Sequence, residues 1–346
     1  MVQEFFKTYP DIDINSNDEN GYTLLLRAVS RGDGRFINRL VELNRLAKYG
    51  KVDWNAVAPN GNNAWMIELD RTKYDTIAYA FAGWVKPDYI NPITKKTVLQ
   101  EAIIRNDEEF IRSFTSCVRK DNRTWFNIDI THPDTPPTAI LALQQGIKGY
   151  TLESIFDYKP DFDAVYNGLS IYDYRENIDS GKILNELKSH LVNKKFAELK
   201  AYYEKEGNLS LQQISDLMNF PRFDLICDKP LNNIGEHIGN FIAEIYPKDF
   251  EETKKISELI DRLAMHYIYN ISRLLTHGDV TGKTPLEKAF EARNTIVLKL
   301  FIHKLSGRGR YAKLDEVDLA GKIKRLVEAS DIDNKDELLK LLWSKY

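Results

Sequence analysis

The sequence predicts an all-α fold in which pairs of helices stack side by side and short turns connect them. Two observations predict this class. A string that combines a turn with the start of a helix occupies residues 282–289, and weaker copies recur along the chain roughly every 33 to 40 residues. Between the copies, apolar residues recur every three or four positions, which is the period of a helix with one buried face.

The string at 282–289 reads Gly-Lys-Thr-Pro-Leu-Glu-Lys-Ala. Gly282 permits the positive φ that a tight turn needs. Thr284 can cap the following helix with its hydroxyl, and Pro285 fits the first helical position, where an N–H would lack a helical partner. Leu286 and Ala289 are expected to face the neighbouring helix pair, because a small Ala lets helices approach closely.

This string resembles the Gly-x-Thr-Pro-Leu-His-x-Ala signature of the ankyrin repeat, with Glu287 in place of the His. The second clearest copy begins with Asp-Ile-Asn at 13–15 and continues from Gly21 to Ala28, and a third runs from Thr97 to Ala102. Fainter copies are residues 61–65, 137–142 and 168–172. The turn positions equivalent to Gly282 are 21, 61, about 95, about 135 and 168.

The resemblance implies an ankyrin-repeat solenoid of stacked helix pairs with β-turn or hairpin connections, plus a helical insertion. Residues 1–190 are predicted to form an N-terminal cap, with a helix near 2–9, and roughly five divergent repeats. Residues 191–275 are either a helical insertion or a set of degenerate repeats, and their apolar spacing predicts one long helix over 250–276. Residues 276–346 are predicted to form an ankyrin repeat and a C-terminal helical cap.

Composition narrows the function classes. The net charge is −3, from 48 basic and 51 acidic residues, so no overall positive field favours nucleic acid. Two cysteines, Cys117 and Cys227, make no disulfide framework. No apolar run reaches membrane-spanning length, and the first residues lack the pattern of a secretory signal. We therefore expect a cytoplasmic protein without a membrane span or a nucleic-acid ligand, and we expect it to be a monomer.

No motif predicts a cofactor or a metal ion. The six histidines show no zinc-ligand spacing. Two strings that resemble phosphate loops, at 278–284 and 306–310, lack the glycine spacing of such loops. An enzymatic alternative stays open, with thiol chemistry at Cys227 assisted by His237 or His266 in the segment without clear repeats.

The resemblance implies protein recognition, because ankyrin arrays generally bind other proteins through their turn tips and the first helices that line a concave groove. Arg27, Glu101 and Lys288 immediately precede the signature Ala and are expected to project towards this groove. The predicted protein-binding residues are Asn17, Asp18, Glu19, Asn20, Arg27, Asn60, Thr94, Lys95, Glu101, Asp279, Thr281 and Lys288.

A narrower hypothesis is a secreted effector of an intracellular bacterium, acting in the host cytoplasm. Such effectors often carry irregular ankyrin arrays with extra helical segments and no N-terminal signal peptide. The frequent Asn, Ile, Lys and Tyr residues would also suit an AT-rich genome.

Overall fold

The computed structural model describes residues 13–46, 51–71, 77–120, 126–207, 209–226, 229–231, 237–266, 278–306 and 316–343. These residues are mostly helical and contain no closed sheet, in agreement with the predicted all-α class. The chain divides into two compact units, Met1–Leu187 (unit 1) and Lys188–Tyr346 (unit 2). The helix predicted near 2–9 lies outside the described residues.

Unit 1 contains four successive helix pairs in its described part. The first helices of the pairs are α1 (Leu24–Arg31), α3 (Ala64–Leu69), α5 (Val98–Ile104) and α7 (Thr138–Gln144). The second helices are α2 (Gly34–Leu46), α4 (Ile77–Phe81), α6 (Glu108–Lys120) and α8 (Gly149–Phe156). First helices contact first helices and second helices contact second helices, in chain order. Each pair therefore buries its apolar side chains against the pairs before and after it.

The last part of unit 1 departs from this pattern. A hairpin of β1 (Val165–Tyr166) and β2 (Leu169–Ser170) leads into a 3₁₀ helix, Ile171–Asn177, which contacts α7 in the place of a first helix. The long helix α9 (Gly181–Glu206) follows and extends beyond the boundary between the units.

The turns before α1, α3 and α5 share one geometry, which the turn before α7 lacks: no described residue near the predicted position 135 has positive φ, and the cap of α7, Pro137, makes no side-chain hydrogen bond. A residue with positive φ occurs two positions before the helix cap, with φ of 75° at Gly21, 78° at Gly61 and 62° at Lys95. The capping residues are Thr23, Asn63 and Thr97, whose side chains accept a hydrogen bond from a helical N–H. The predicted turn position near 95 is thus confirmed, although a lysine takes the left-handed conformation there.

The turn from first to second helix repeats as well. In three pairs of unit 1, the backbone N–H five residues after an alanine donates to that alanine's carbonyl, at Ala28, Ala102 and Ala142. All three alanines are buried, so the helices can approach closely at these points. The second pair has Glu68 at this position, 1% exposed, with its carboxylate 2.7 Å from the guanidinium of Arg71.

Side chains between the pairs form a ladder of hydrogen bonds to backbone N–H groups. The Oδ1 atom of Asn15 accepts from Asp53 at 2.7 Å, and that of Asn55 accepts from Lys86 at 3.1 Å. Further along the chain, the carboxylate of Asp129 accepts a hydrogen bond from the backbone N–H of Asp161 at 3.1 Å. One acceptor from each of these segments therefore ties it to the segment that follows.

Aromatic rings connect three helix pairs inside the core of unit 1. The fully buried Trp65 of α3 lies edge-on to Phe81 of α4 and to Phe114 of α6, with ring centroids 4.8 Å apart in both contacts. Phe114 contacts Phe126, which in turn contacts Tyr158 after α8. Because these contacts cross from pair to pair, the core is shared between pairs rather than enclosed by any one of them.

Unit 2 contains α10 (Leu211–Met218), a 3₁₀ turn at Phe223–Leu225, α11 (Ile238–Glu244), α12 (Phe250–His266), α13 (Pro285–Glu291), α14 (Thr295–Ser306), α15 (Glu316–Ala329) and α16 (Lys335–Trp343). Ser210 and Gln213 form a capping box at the start of α10. Thr284 caps α13 as predicted, and Glu287, which replaces the signature His, completes a second capping box.

The same stacking order occurs in unit 2. Helix α13 contacts α11 on one side and α15 on the other, while α14 contacts α12 and α16. Residues 238–266 therefore pack against 285–306 as a preceding helix pair would. The predicted long helix is observed over Phe250–His266, and its remaining part, 267–276, lies outside the described residues.

The hydrogen-bond ladder predicts that Asp129→Asn increases the stability of the folded state, by an amount that depends on pH. Partial burial, together with the nearby charge of Asp161, raises the pKa of the Asp129 carboxyl above its ordinary value. Protonation therefore favours the folded state, and this contribution to stability is lost as pH rises through the folded-state pKa. An Asn can still accept from Asp161, as Asn15 and Asn55 do for their partners.

We expect Asp129→Asn to raise the free energy of unfolding at pH 7 by a few tenths of a kcal/mol to about 1 kcal/mol. The gain should disappear as pH falls below the raised pKa of the Asp129 carboxyl, because the wild-type side chain is then itself protonated. Urea unfolding at several pH values measures it, with Glu19→Gln at an exposed turn as the charge-matched control. A loss of stability at pH 7 would show that the ladder needs the carboxylate.

Candidate functional site

The turns that precede the first helices are the regular exposed feature of unit 1. Their backbones close in the same way: the N–H of Asp18 donates to the carbonyl of Tyr22, that of Ala58 to Asn62, and that of Asn91 to Lys96, each at 2.9 Å. We number these turns in chain order: turn 1 (18–22), turn 2 (58–62), turn 3 (91–96), turn 4 (132–135) and turn 5 (166–169).

Asp18 organises turn 1. Its Oδ1 atom accepts from the N–H groups of Asn20 at 2.9 Å and Tyr22 at 3.0 Å, and its Oδ2 accepts from Nε of Arg27 at 2.9 Å. The Tyr22 N–H and the Arg27 side chain hold the pKa of this carboxyl below its ordinary value. The Arg27 guanidinium also lies 4.7 Å from the centre of the Tyr22 ring. Arg27 therefore stabilises turn 1 through its contacts with Asp18 and Tyr22.

Asp279 organises the corresponding turn of unit 2. It lies nine residues before Lys288, which is the separation between Asp18 and Arg27. Its Oδ1 atom accepts from the N–H groups of Thr281 and Lys283, at 2.8 and 3.1 Å. The Lys288 ammonium lies 3.5 Å from Asp279 and 3.6 Å from Glu244. Lys288 is only 8% exposed, and burial lowers its pKa. It therefore supports the turn and offers little accessible surface to a partner.

Asn91 joins turns 2 and 3. It is fully buried, and its Nδ2 group donates to the carbonyl of Asn60 at 3.3 Å and to Oδ1 of Asn62 at 2.8 Å. Its own Oδ1 accepts from the N–H groups of Ile93 at 2.7 Å and Thr94 at 3.1 Å. One side chain therefore holds both turns in shape and in register.

Close packing of neighbouring turns explains the glycines. A Cβ at Gly61 would lie 2.5 Å from Oδ1 of Asn91, and one at Gly21 would lie 2.4 Å from Cγ of Pro59. Both positions also have positive φ, which side chains disfavour. The Gly61 carbonyl also accepts from the Tyr89 hydroxyl at 3.1 Å. The first three turns are consequently close-packed against one another.

Turns 4 and 5 are connected in a similar way. The hydroxyl of Tyr166 donates to the carbonyl of Asp134 at 3.0 Å. On the other side of turn 4, Nε2 of Gln100 in α5 donates to Oγ1 of Thr131 at 2.8 Å and to the carbonyl of Pro136 at 3.0 Å. A partner would therefore meet turns that are already fixed relative to their neighbours.

The structure separates the predicted binding residues into two groups. Asp18, Arg27, Glu101, Asp279 and Lys288 form ion pairs within the protein, that of Glu101 being with Lys96 at 3.8 Å. The other predicted residues are exposed and form no ion pair among the described residues: Asn17, Glu19, Asn20, Asn60, Thr94 and Lys95 in unit 1 and Thr281 in unit 2. The second group is the part of the prediction that a partner could reach.

The surface of the first helices is polar and largely paired. Asp70 at the end of α3 accepts from Arg105 at the end of α5 at 2.8 Å, and from Nδ2 of Asn62 at 3.1 Å. Together with the pairs of Arg27 and Glu101, this surface carries both signs of charge close together. In its described part, this surface shows no row of unpaired cations of the kind that follows a phosphate backbone.

The list of predicted binding residues omits the apolar residues at the turns, two of which, Pro59 and Ile93, stand next to members of that list. Ile93 of turn 3 is 64% exposed, and Val165 and Leu169 of the hairpin are 61% and 42% exposed. Pro59 and Pro133 are exposed at turns 2 and 4. The signal was available at Ile93, because a branched apolar residue amid turn-forming Asn, Pro and Thr is unusual unless something packs on it.

The structure describes only part of the residues on which the enzymatic alternative depends. Cys227 and the side chain of His266 lie outside what the structure describes, whereas His237 precedes α11 and donates its backbone N–H to Oδ1 of Asn240 at 3.1 Å.

Among the described residues, no group of three or more His, Cys, Asp or Glu side chains is arranged to hold a metal ion. Within the same ranges, no helix combines the length and apolar character needed to cross a membrane. No protein-family model and no curated protein matches the chain.

The position of Asn91 predicts a large effect of Asn91→Ala. The substitution leaves the Ile93 and Thr94 N–H groups without their acceptor. It also removes the hydrogen bond from Asn91 to Asn62 that connects turn 3 to turn 2. We expect the free energy of unfolding to fall by about 1–3 kcal/mol. Denaturant unfolding measures this, with Asn17→Ala, whose side chain is exposed, expected to remain within about 0.5 kcal/mol of wild type. Equal stability of the two variants would contradict the role assigned to Asn91.

Proposed function

We propose that this chain is a divergent ankyrin-repeat array that recognises a protein partner through its turns and the surface of its first helices. The observation that carries the proposal is the recurrence of one local geometry. Around Gly21, Lys95 and Gly282 the chain forms a closed turn that contains a residue with positive φ, and the helix cap follows two positions later. In the same three places, the carbonyl of a helical alanine accepts a hydrogen bond from the backbone N–H five residues further on. This order is the one that the resemblance implies.

The stacking order supports the same proposal. Pairs that contact their neighbours first helix to first helix and second helix to second helix are what a repeat array requires, because one pair alone cannot bury its apolar face. The packing of α11 and α12 on α13 and α14 favours degenerate repeats over an insertion for residues 238–266.

The character of the surface favours a protein as the ligand. Its charges are balanced and mostly paired, so they give little attraction to a polyanion. Its turns are hydrogen-bonded to one another, so little conformational entropy is lost when a partner binds. Exposed apolar side chains at several turns add area that a protein can bury.

We further propose that the residues in contact are the exposed ones: Asn17, Glu19, Asn20, Asn60, Thr94 and Lys95 in unit 1, and Thr281 in unit 2. In this proposal Asp18, Arg27 and Glu101 act indirectly, by keeping turns 1 and 3 in shape. The narrower form, a bacterial effector that acts as a monomer in the host cytoplasm, requires the partner to be a host protein.

The test is affinity capture from a eukaryotic lysate with three purified proteins: wild type, Glu19→Lys/Lys95→Glu, and Arg39→Glu/Glu42→Arg. The first variant reverses two exposed charges at turns 1 and 3 and leaves the net charge unchanged. The second swaps an exposed ion pair on the second helix α2 and also leaves the net charge unchanged. Both should fold normally, because exposed substitutions usually shift stability by less than about 0.5 kcal/mol.

We expect a partner captured by the wild type to be lost, or reduced at least about tenfold, with the turn variant, and to be retained with the α2 variant. Quantitative mass spectrometry of the captured proteins gives the ratio. Loss with the α2 variant and retention with the turn variant would move the binding surface to the second helices and refute the proposal.

A further inference from the structure

Some of the exposed apolar residues of unit 1 fall on successive turns, whereas Leu24, Tyr79, Ile104 and Tyr150 are exposed singly on its helices. Turns 2 to 4 contribute one such residue each, and the hairpin around turn 5 contributes two. We call this set the tip row: Pro59, Ile93, Pro133, Val165 and Leu169. Single exposed apolar residues are normal on a protein surface, whereas a row at structurally equivalent positions suggests a surface that another molecule covers.

The tip row is almost free of net charge. Turns 2 and 5 contain no Asp, Glu, Lys, Arg or His, and turn 4 carries one exposed carboxylate, Asp134, 3.3 Å from Nδ1 of His132. At turn 3 Lys96 pairs with Glu101. Lys95 makes no ion pair in the part of the chain that the structure describes. An occupant that fits would therefore be mainly apolar, with a carboxylate opposite turn 3.

The backbone of the turns has little left to offer an extended peptide. At turn 3 the N–H groups of Asn91, Ile93, Thr94 and Lys95 all donate within the turn. At turn 5 the short strands β1 and β2 pair with each other. A strand added here would bring unpaired backbone groups of its own, whereas an α-helix satisfies its backbone internally.

The spacing of the turns suits a helix as well. The first helices that follow the turns contact one another in order, and packed helices lie about 8–10 Å apart. Seven residues of an α-helix rise about 10.5 Å, close to this spacing. A helix that lies along the turns would therefore meet successive tips with residues one heptad apart.

We propose that the tip row docks an amphipathic α-helix of the partner, with apolar side chains one heptad apart and a carboxylate beside the middle one. The proposal rests on the proposed function and names its ligand. Ile93, the most exposed member of the row with a branched apolar side chain, contacts the middle apolar residue, and Lys95 contacts the carboxylate.

The probe is a synthetic helical peptide of about 21 residues, with Leu at three positions seven apart and a Glu adjacent to the middle Leu. A control peptide has the same composition, but its middle Leu is moved by two residues, which turns it by about 200° around the helix. Fluorescence anisotropy measures the affinity of both peptides for the full-length protein. We expect the ordered peptide to bind at least about tenfold more tightly than the control.

Ile93→Asp should weaken binding of the ordered peptide by about tenfold or more. Tyr150→Asp, at a 72%-exposed apolar position on the second helix α8, should bind as the wild type does. Circular dichroism confirms that each variant is folded. Lys95→Glu provides a second test: it should weaken binding of the Glu peptide and favour a peptide in which that Glu is replaced by Lys.

Equal affinity for the ordered and control peptides, or no binding by the wild type up to about 1 mM, would overturn the helix as occupant. If Ile93→Asp still abolishes capture of a lysate protein in that case, the helix proposal fails while protein recognition at the turns stands. If Lys95→Glu shows no preference between the two charge-swapped peptides, the carboxylate contact is wrong.

Discussion

Each helix pair in this protein leaves an apolar face that only a neighbouring pair can cover. The buried rings show this constraint most directly, since Trp65 belongs to one pair and contacts Phe114 of the next. Three of the four pairs bury a small alanine near the end of the first helix, where it lets the helices approach closely, and the second pair accommodates Glu68 there through its ion pair with Arg71. The turns follow from the same constraint, since their positions are set by the helices that stack behind them.

Hydrogen bonds between successive segments add register to this packing. Apolar contacts alone tolerate sliding, whereas a side-chain acceptor bonded to one particular N–H does not. Asn15, Asn55 and Asp129 do this on the segments that lead into the turns, and Asn91 does it between turns 2 and 3. The resulting surface is built from stiff, closely spaced turns, and stiffness of this kind favours recognition because little order has to be gained on binding.

Much of the repeating geometry could be read from the sequence, because it depends on local chemistry. Glycine at 21 and 282, threonine two positions later and alanine five further on predict a tight turn, a helix cap and a small buried contact. At 61 the glycine is followed by Asn63, which caps its helix in the same way. Lys95 could be located only by spacing, since lysine rarely adopts positive φ. The 3₁₀ helix at Ile171–Asn177 and the length of α9 were not foreseen, because they depend on tertiary packing.

The binding residues were harder to predict than the fold. Sequence register places Arg27, Glu101 and Lys288 correctly beside the signature alanine, but it does not reveal that each forms an ion pair within the protein. The predicted list contains polar and charged turn residues and omits their apolar neighbours Ile93 and Val165, whose exposure the sequence does not give. Exposure is a property of the assembled stack, so a single repeat read as a sequence does not contain it.

The central claim is that the turns of unit 1 form an ordered row, one per helix pair. Distances between spin labels test it most directly, with labels on cysteines introduced at Asn20 and Thr94 in one protein, and at Asn20 and Asn167 in another, both in a background without Cys117 and Cys227. A row with steps of about 10 Å predicts mean separations of about 20 Å for the first pair and about 40 Å for the second. A separation from Asn20 to Asn167 no longer than that from Asn20 to Thr94 would contradict the ordered row.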